Sequence, residues 1–485
     1  MDATARNLVS DNSLQESGNG PVFVDLDDTL IQTDLLHESF LKVLRYHPKL
    51  LLRLPGWLGQ GKSYLKQQLS EVVDIDPRAL PYNEELISWL EMARAQGRKV
   101  YLATASHEKY AHQIAEHLGI FDGVLATTST CNLKGTNKLK AIELMAPNGF
   151  AYAGDCSADM PIWTKAAQII TVNTSKHITA QLPQGTPMQH FKTPKASLKV
   201  LLKGIRIHQW VKNILLFLPL ILGHQFSNVN SIWQTVVGFF AFSFCASSVY
   251  VLNDLLDLPT DRLHPHKKNR PFASGRLSVM QGLLLAPALL IAAFAMALPI
   301  SKEFVAMLLG YYVITSVYSF GLKKVQILDV TTLTVLFTWR ILSGSVASEV
   351  PTSPWLLLFS IFFFYSLALA KRATELIETE AKVDSGRGYV FGDLQIVASL
   401  GTASGYVAIL VMGLYINSPE VKVLYTSPLW LWPISLVLLY WVSRIWLITM
   451  RGQLSSDPIV FAIKDKVSYL MGFSVLIMGA LAKWI

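Results

Sequence analysis

Cysteine is scarce and charge is thin. Three cysteines, Cys131, Cys156 and Cys245, stand among 485 residues. An odd number without metal-ligand spacing implies neither a disulfide framework nor a zinc site, and fits a reducing compartment. Charged residues make up 16% against 51% hydrophobic ones, too greasy a balance for a soluble chain of this length. The opening MDATARNLVSDNSLQESGNG has neither the apolar core of a signal peptide nor a lipidation motif, and residues 1–20 read as a flexible tail. The net charge of +8 would suit nucleic acid. Cytoplasmic loops facing anionic lipid and phosphate substrates explain it more simply, so no nucleic-acid partner is expected.

The apolar excess is uneven. Residues 1–200 look like an ordinary soluble domain, and the greasy part begins near Leu215. At roughly 20 residues per crossing, about nine spans fit, centred near Phe217, Phe242, Ala292, Tyr312, Phe337, Phe362, Leu410, Val437 and Val475. With the N-terminal domain in the cytoplasm, the loops after even-numbered spans carry Arg262, Lys267, Lys268, Arg270, Arg276, Lys323, Lys324, Lys371, Arg372, Lys382, Arg387, Arg444, Arg451, Lys464 and Lys466. The opposite loops offer Lys302 and Lys422. This asymmetry predicts a multi-pass protein of the inner (cell) membrane with its soluble domain and chemistry on the cytoplasmic side.

In the soluble half, PVFVDLDDTL (21–30) is a short apolar run ending in Asp25 and Asp27. It reads as a buried parallel strand with carboxylates at its C-terminal end, where open α/β sheets place their sites. RKVYLATAS (98–106) is a second strand ending at Thr104, LKGTNKLKAIELM (133–145) carries Lys134 and Lys138 at a helix start, and FAYAGDCSADM (150–160) ends in Asp155 and Asp159. Singly, each piece is weak. In this order, over residues 21–175, they resemble the four motifs of the haloacid dehalogenase superfamily of phosphohydrolases. That resemblance implies a Rossmann-like α/β domain with a small helical cap at about 31–90. It implies Asp25 as nucleophile, Asp27 as general acid and then base, Thr104 on the phosphoryl group, and Lys138 (with Lys134 as the lesser choice) neutralising its charge. Asp25, Asp27, Asp155 and Asp159, with a main-chain carbonyl, make up the implied Mg²⁺ set. The chemistry suits these types: carboxylates for a hard cation, Lys and Thr as donors to phosphoryl oxygens. Residues 176–205 read as a linker followed by a basic interfacial helix.

In the membrane half, one stretch dominates: NDLLDLPTDRLHPHKKNRPFASG, 253–275. Asp254, Asp257 and Asp261 recur at steps of three and four, which lines one helical face, although Pro259 can end the helix there. Arg262, Lys267, Lys268 and Arg270 follow. Acids for a metal and bases for phosphate oxygens suit a Mg²⁺-bound pyrophosphate. The bland alternative is a charged connector between spans. Arg340 sits inside an apolar span, where a charge needs a partner or a wet cavity.

HQWVKN (208–213), this acidic stretch, YSFGLKKVQILDV (318–330) and KRATEL (371–376) resemble the UbiA superfamily of intramembrane transferases. The implied fold over residues 206–485 is an all-α polytopic membrane domain of about nine helices. The superfamily's second aspartate-rich motif is replaced here by Lys371, Arg372 and Glu375. That departure resembles the polyprenyl-phosphate phosphoribosyltransferase branch, whose substrates are phosphoribosyl pyrophosphate and a polyprenyl phosphate. The resemblance implies Mg²⁺ on Asp254, Asp257 and Asp261 as the catalytic centre. Substrate contacts would come from Lys212, Asn253, Lys267, Lys268, Arg270, Tyr318, Lys323, Arg340, Lys371, Arg372 and Glu375. A prenyltransferase acting on an aromatic or other small acceptor shares the first motif, and a transporter or scaffold is the non-enzymatic alternative. Whether the chain forms a homo-oligomer is left open by the sequence.

Overall fold

The computed structural model describes residues 20–128, 131–193, 197–379, 388–454 and 457–485. Residues 1–19 of the expected tail, together with Lys382 and Arg387, lie outside the described residues. The chain divides into two compact units, one running to Ile205 and including Val251–Leu285, the other made of Arg206–Tyr250 and Ala286–Ile485. The stretch Val251–Leu285, assigned from sequence to the membrane domain, thus packs within the first unit.

The first unit is built on a six-stranded sheet in the order β3-β2-β1-β4-β5-β6. The strands are β1 Val22–Val24, β2 Val100–His107, β3 Gly123–Thr127, β4 Ala151–Gly154, β5 Gln168–Val172 and β6 Met188–Phe191. Every pairing is parallel, with Val22 opposite both Val100 and Ala151. Alternation sends Val22 and Val24 into one helical layer with Leu86, Leu90 and Ile114, and Phe23 into the other with Ile142, Ile162 and Trp163. Burying Phe23 completely contributes about 2 kcal/mol. With β1 in the middle, Asp25 leaves the sheet beside the ends of β2 and β4.

The sheet reaches further than the sequence indicated. Strand β6 lies inside the 176–205 stretch read as a linker. Met188 and His190 are exposed while Phe191 is buried, so this edge strand needs only one apolar anchor, and PQGTPMQHF carries no run that announces it. Between β1 and β2 the chain is helical: α1 Leu35–Tyr46, then Leu54–Gly59, Lys62–Val72 and Glu84–Ala95. Helix α1 starts where the Asp34 carboxylate accepts the Leu36 amide at 2.7 Å. It buries Leu35, Leu41 and Val43.

The second unit is helical. Among the described residues, eight helices are long and apolar enough to cross a membrane, or nine if the bent pair Leu198–Gly204 and Ile207–Leu222 counts as one span. The expected first span around Phe217 is not one long helix. Ile207–Phe217 is wound as a tighter 3₁₀ stretch and Pro219 restarts the chain as Leu218–Leu222. Lys212 and Asn213 are buried in that stretch, so it faces protein rather than lipid. The helices Val229–Leu256 and Leu328–Ser348 are the most enclosed, each with 61% of its apolar window buried, against 6% for Lys466–Trp484. The last helix presents Leu470, Phe473 and Leu476 outward, which water would penalise and lipid accepts. Gly344 on Leu328–Ser348 lies so close to the Leu216 carbonyl that no side chain fits there. The protein is a multi-pass membrane protein with an N-terminal α/β domain built on a parallel sheet.

Candidate functional site

Three charged constellations are built by this fold. The first lies at the carboxyl ends of β1, β2 and β4. Lys138, at the start of helix Thr136–Met145, is 2% exposed, and its Nζ sits 3.0 Å from Asp25 Oδ1 and 3.8 Å from Asp159 Oδ1. It donates to the Tyr152 hydroxyl at 2.9 Å, which in turn donates to Asp159 Oδ1 at 2.7 Å. The Asp155 amide points at Asp159 Oδ2, 3.2 Å away. Asp27 accepts from the Ser106 hydroxyl at 2.5 Å and from the Leu35 amide at 2.9 Å, and the Ser106 amide donates to Thr104 Oγ1 at 2.9 Å. Asp25, Asp27, Thr104, Lys138, Asp155 and Asp159 therefore meet in one place, although 134 residues of chain separate the first from the last. Lys138, and not Lys134, holds the position beside Asp25.

The electrostatics ask for a cation. Burial raises Asp25 to about 6, against the pull of Lys138. Burial, then the Asp34 charge, raises Asp27 to about 7. Burial, then Asp159 and Asp25, raises Asp155 to about 8. So many carboxylates with one buried lysine are poorly neutralised. Asp155, Cys156 and Asp159 bring ligand atoms within 4.8 Å of one another. Burial pushes the Cys156 thiol up to about 12, and the carboxylates around it are oxygen donors of the kind a hard divalent ion takes. A small, half-open hollow lies next to Asp27, lined by Leu36, Ser39, Lys66, Leu69, Ser106 and Tyr110 among others. Lys66 donates to the Ala105 carbonyl at 2.6 Å, and burial lowers its pKa. Lys66, Ser106 and Tyr152 were not singled out from sequence. A lysine on a basic amphipathic helix carries no signal of which way it turns.

The second constellation is the acidic turn. The helix Val229–Leu256 ends, Asp257 starts the short helix Leu258–Leu263, and Pro259 makes that break. Arg270 bridges Asp254 Oδ1 at 3.1 Å and Asp261 Oδ2 at 2.5 Å, while Asp257 Oδ1 is 3.0 Å from Arg45 of α1. The single acidic face expected from the spacing is thus split between two guanidinium groups. Arg270, expected on a phosphate, faces carboxylates. Asp254 and Asp261 are buried, and burial raises the Asp261 pKa. Hard oxygen donors at this turn suit Mg²⁺ in type, but among the described residues these three carboxylates do not form a set within 4.8 Å. Asn253 is half-buried at the helix end, and Lys267 and Lys268 are exposed in the turn Lys267–Asn269.

The third constellation lies in the membrane unit and is rich in bases. Asp457 Oδ2 holds Lys212 at 2.5 Å and Lys371 at 3.7 Å. Arg340, 4% exposed, donates to Asn213 Oδ1 and to the Tyr311 hydroxyl, each at 2.9 Å, and lies over the Phe242, Tyr311 and Phe337 rings. Lys212 shares the Phe337 ring from 5.9 Å. Arg372 is fully buried against Asp329 at 2.6 Å and Glu375, with the Tyr389 hydroxyl donating to Asp329 at 2.7 Å. Lys212, Arg340 and Lys371 therefore converge, while Arg372 and Glu375 form a structural pair around Asp329. Tyr318 and Lys323 are half-buried at the end of Lys302–Phe320 and in the turn after it. Asp457 was missed. Asp-Pro before an apolar run marks a helix start, and nothing in that pattern announces two lysines from elsewhere.

These features define a two-part protein: a haloacid dehalogenase-like hydrolase domain, matched over residues 22–163, and a helical membrane domain matched by the UbiA prenyltransferase family over residues 216–466. The chain belongs to the UbiA prenyltransferase family. It is 40% identical over 459 residues to the uncharacterized protein y4nM of Sinorhizobium fredii, covering 93% of this chain and 89% of that one. The nodulation protein NoeC of Azorhizobium caulinodans is 33% identical over 271 residues, 54% of this chain and 86% of that one. A decaprenyl-phosphate phosphoribosyltransferase of Mycolicibacterium smegmatis is 33% identical over 187 residues, 38% of this chain and 59% of that one.

Proposed function

We propose that the membrane domain transfers 5-phosphoribosyl from phosphoribosyl pyrophosphate to a polyprenyl phosphate, and that the hydrolase domain removes the 5-phosphate of the lipid-linked product. The outcome is a lipid-linked pentose donor for cell-envelope polysaccharide, made at the cytoplasmic face. The observation that carries this reading is the third constellation. Where a second acidic motif would hold metal, Lys212 and Lys371 share one carboxylate and Arg340 lies beside them. Two polyanionic substrates need such an excess of buried cations. Similarity to phosphoribosyltransferases named for decaprenyl phosphate supports the same choice.

A magnesium ion held by Asp254, Asp257 and Asp261 would neutralise the departing diphosphate. Arg270 would stay close enough to follow the charge as it shifts from carboxylates to diphosphate oxygens. Lys212 and Lys371 would hold the lipid phosphate, whose oxygen attacks the anomeric carbon as the carbon–diphosphate bond breaks. In the hydrolase pocket, Asp25 attacks phosphorus and Lys138 balances the charge on the phosphoryl oxygens. Asp27, poised near neutrality, protonates the departing ribose oxygen and then takes a proton from water. Asp25, Asp155 and Asp159 would hold a divalent cation, which would supply charge neutralisation for the phosphoryl oxygens.

Purified protein incubated with phosphoribosyl pyrophosphate and polyprenyl phosphate should yield a pentosyl lipid by mass spectrometry. Product only from a polyprenyl diphosphate and an aromatic acceptor would replace this reading with ordinary prenyl transfer.

A further inference from the structure

Helix α1 belongs to the cap of the hydrolase, yet one face of it runs along the acidic turn of the transferase. Three contacts mark the track. Just before α1, Gln32 lies against Gly275, whose φ of +71° and contact with the Gln32 carbonyl leave no room for a side chain. One turn in, Glu38 Oε1 is 2.7 Å from Arg262, with both side chains at most 6% exposed. Thr33 Oγ1 donates to the same Glu38 oxygen at 2.7 Å, and Arg262 spends its other donors on the Ala79 and Ala273 carbonyls at 3.2 and 3.1 Å. Two turns further, Arg45 meets Asp257 Oδ1 at 3.0 Å and also donates to the Leu256 carbonyl. Glu38 and Arg45 are seven residues apart and share a helix face.

The last contact is chemically pointed. Leu256 is the final residue of the helix that carries Asp254, and its carbonyl is one of the acceptors a helix end leaves unsatisfied. A guanidinium placed there caps the negative end of the helix and fixes Asp257 with the same nitrogen. Glu38 likewise satisfies Arg262 from outside the motif. The acidic turn therefore borrows two of its structural partners from the cap.

We propose that Arg45 is a positioning residue of the transferase site, supplied by the hydrolase cap, and that Glu38–Arg262 is the buried joint that holds it in register. This rests on reading Asp254, Asp257 and Asp261 as the metal–diphosphate site. Arg45 sets the Asp257 carboxylate and the end of the helix beneath it, so the metal-bound diphosphate meets a preformed turn. Fusion of the two domains then has a structural reason besides product delivery.

The test uses the full chain in lipid nanodiscs, with two readouts: binding of magnesium pyrophosphate by calorimetry, taken as the part lost in Asp254→Asn, and transferase kinetics. Arg45→Ala should weaken that binding and raise the donor KM by about tenfold each, with kcat changed by less than about threefold. Arg45→Lys, which keeps charge and reach, should recover most of the loss. Hydrolysis of a small phosphate ester should stay within about twofold in both variants. Should Arg45→Ala prove unfolded, Arg45→Gln and Arg45→Lys carry the same comparison. Binding and KM within twofold of the parent in Arg45→Ala would overturn the proposal and leave Arg45 an incidental surface pair. So would equal losses in Arg45→Ala and Arg45→Lys. If the parent binds magnesium pyrophosphate and Arg45→Ala loses it, but no donor yields a pentosyl lipid, the positioning role stands and the phosphoribosyl reading fails.

Discussion

The hydrolase pocket and the membrane unit are charged in opposite ways. In the pocket, Asp25, Asp27, Asp155 and Asp159 face one buried lysine, and burial raises the first three toward neutrality. In the membrane unit, Lys212, Lys371 and Arg340 outnumber Asp457. An acid-rich hollow is stabilised by a cation and a base-rich one by an anion. The contrast is the one the proposed function needs, with a cation at the hydrolase site and anionic substrates at the membrane cluster. The acidic turn, where Arg270 and Arg45 already neutralise the carboxylates, sits between those extremes in charge.

The sharpest break between the regions comes from removing one acid from each. Asp254→Asn should lower transfer by about a thousandfold or more, with hydrolysis of a small phosphate ester within about twofold of the parent. Asp25→Asn should do the reverse, since in the proposed mechanism Asp25 is the nucleophile and an amide cannot take its place. If either substitution damages both activities equally, the two sites are not chemically separate.

Sequence made some of this legible and hid the rest, for a physical reason. Strand ends are punctuated by function, so Asp25, Thr104 and Asp155 could be read from apolar runs that stop at polar residues, and the sheet brings them together. The acidic spacing at Asp254, Asp257 and Asp261 was equally local. Its consequence was not, because Pro259 breaks the helix and the three acids are then shared between two bases, Arg270 for Asp254 and Asp261 and Arg45 for Asp257. Long-range partners leave no local trace. Arg45 with Asp257, Glu38 with Arg262 and Lys212 with Asp457 are each separated by more than two hundred residues. Strand β6 escaped because an edge strand with one buried residue looks like a loop. The bend in the first expected crossing was hidden because mean apolarity does not reveal that Lys212 and Asn213 turn inward.

Smaller effects sharpen the contrast. Asp457→Asn leaves Lys212 buried beside Lys371 without its carboxylate, and should destabilise the folded protein by about 3 kcal/mol, seen as a lower thermal midpoint in detergent. Asp457→Glu should recover part of it. A midpoint unchanged in Asp457→Asn would show that the two lysines find other partners and that the base-rich cluster is not held by this carboxylate. At the hydrolase pocket, Lys66→Ala should raise the ester KM by about tenfold with little change in transfer, because Lys66 lines the hollow beside Asp27 and lies within reach of its charge. An unchanged KM would remove Lys66 from substrate binding.

The central claim is that one chain carries two successive reactions on one lipid. It is tested most directly by comparing the lipids made by the parent and by Asp25→Asn from phosphoribosyl pyrophosphate and polyprenyl phosphate, by mass spectrometry. The account predicts a pentosyl lipid without the extra phosphate from the parent, and the phosphorylated pentosyl lipid accumulating in Asp25→Asn. The same phosphorylated lipid from both proteins, or no pentosyl lipid from either, would contradict it.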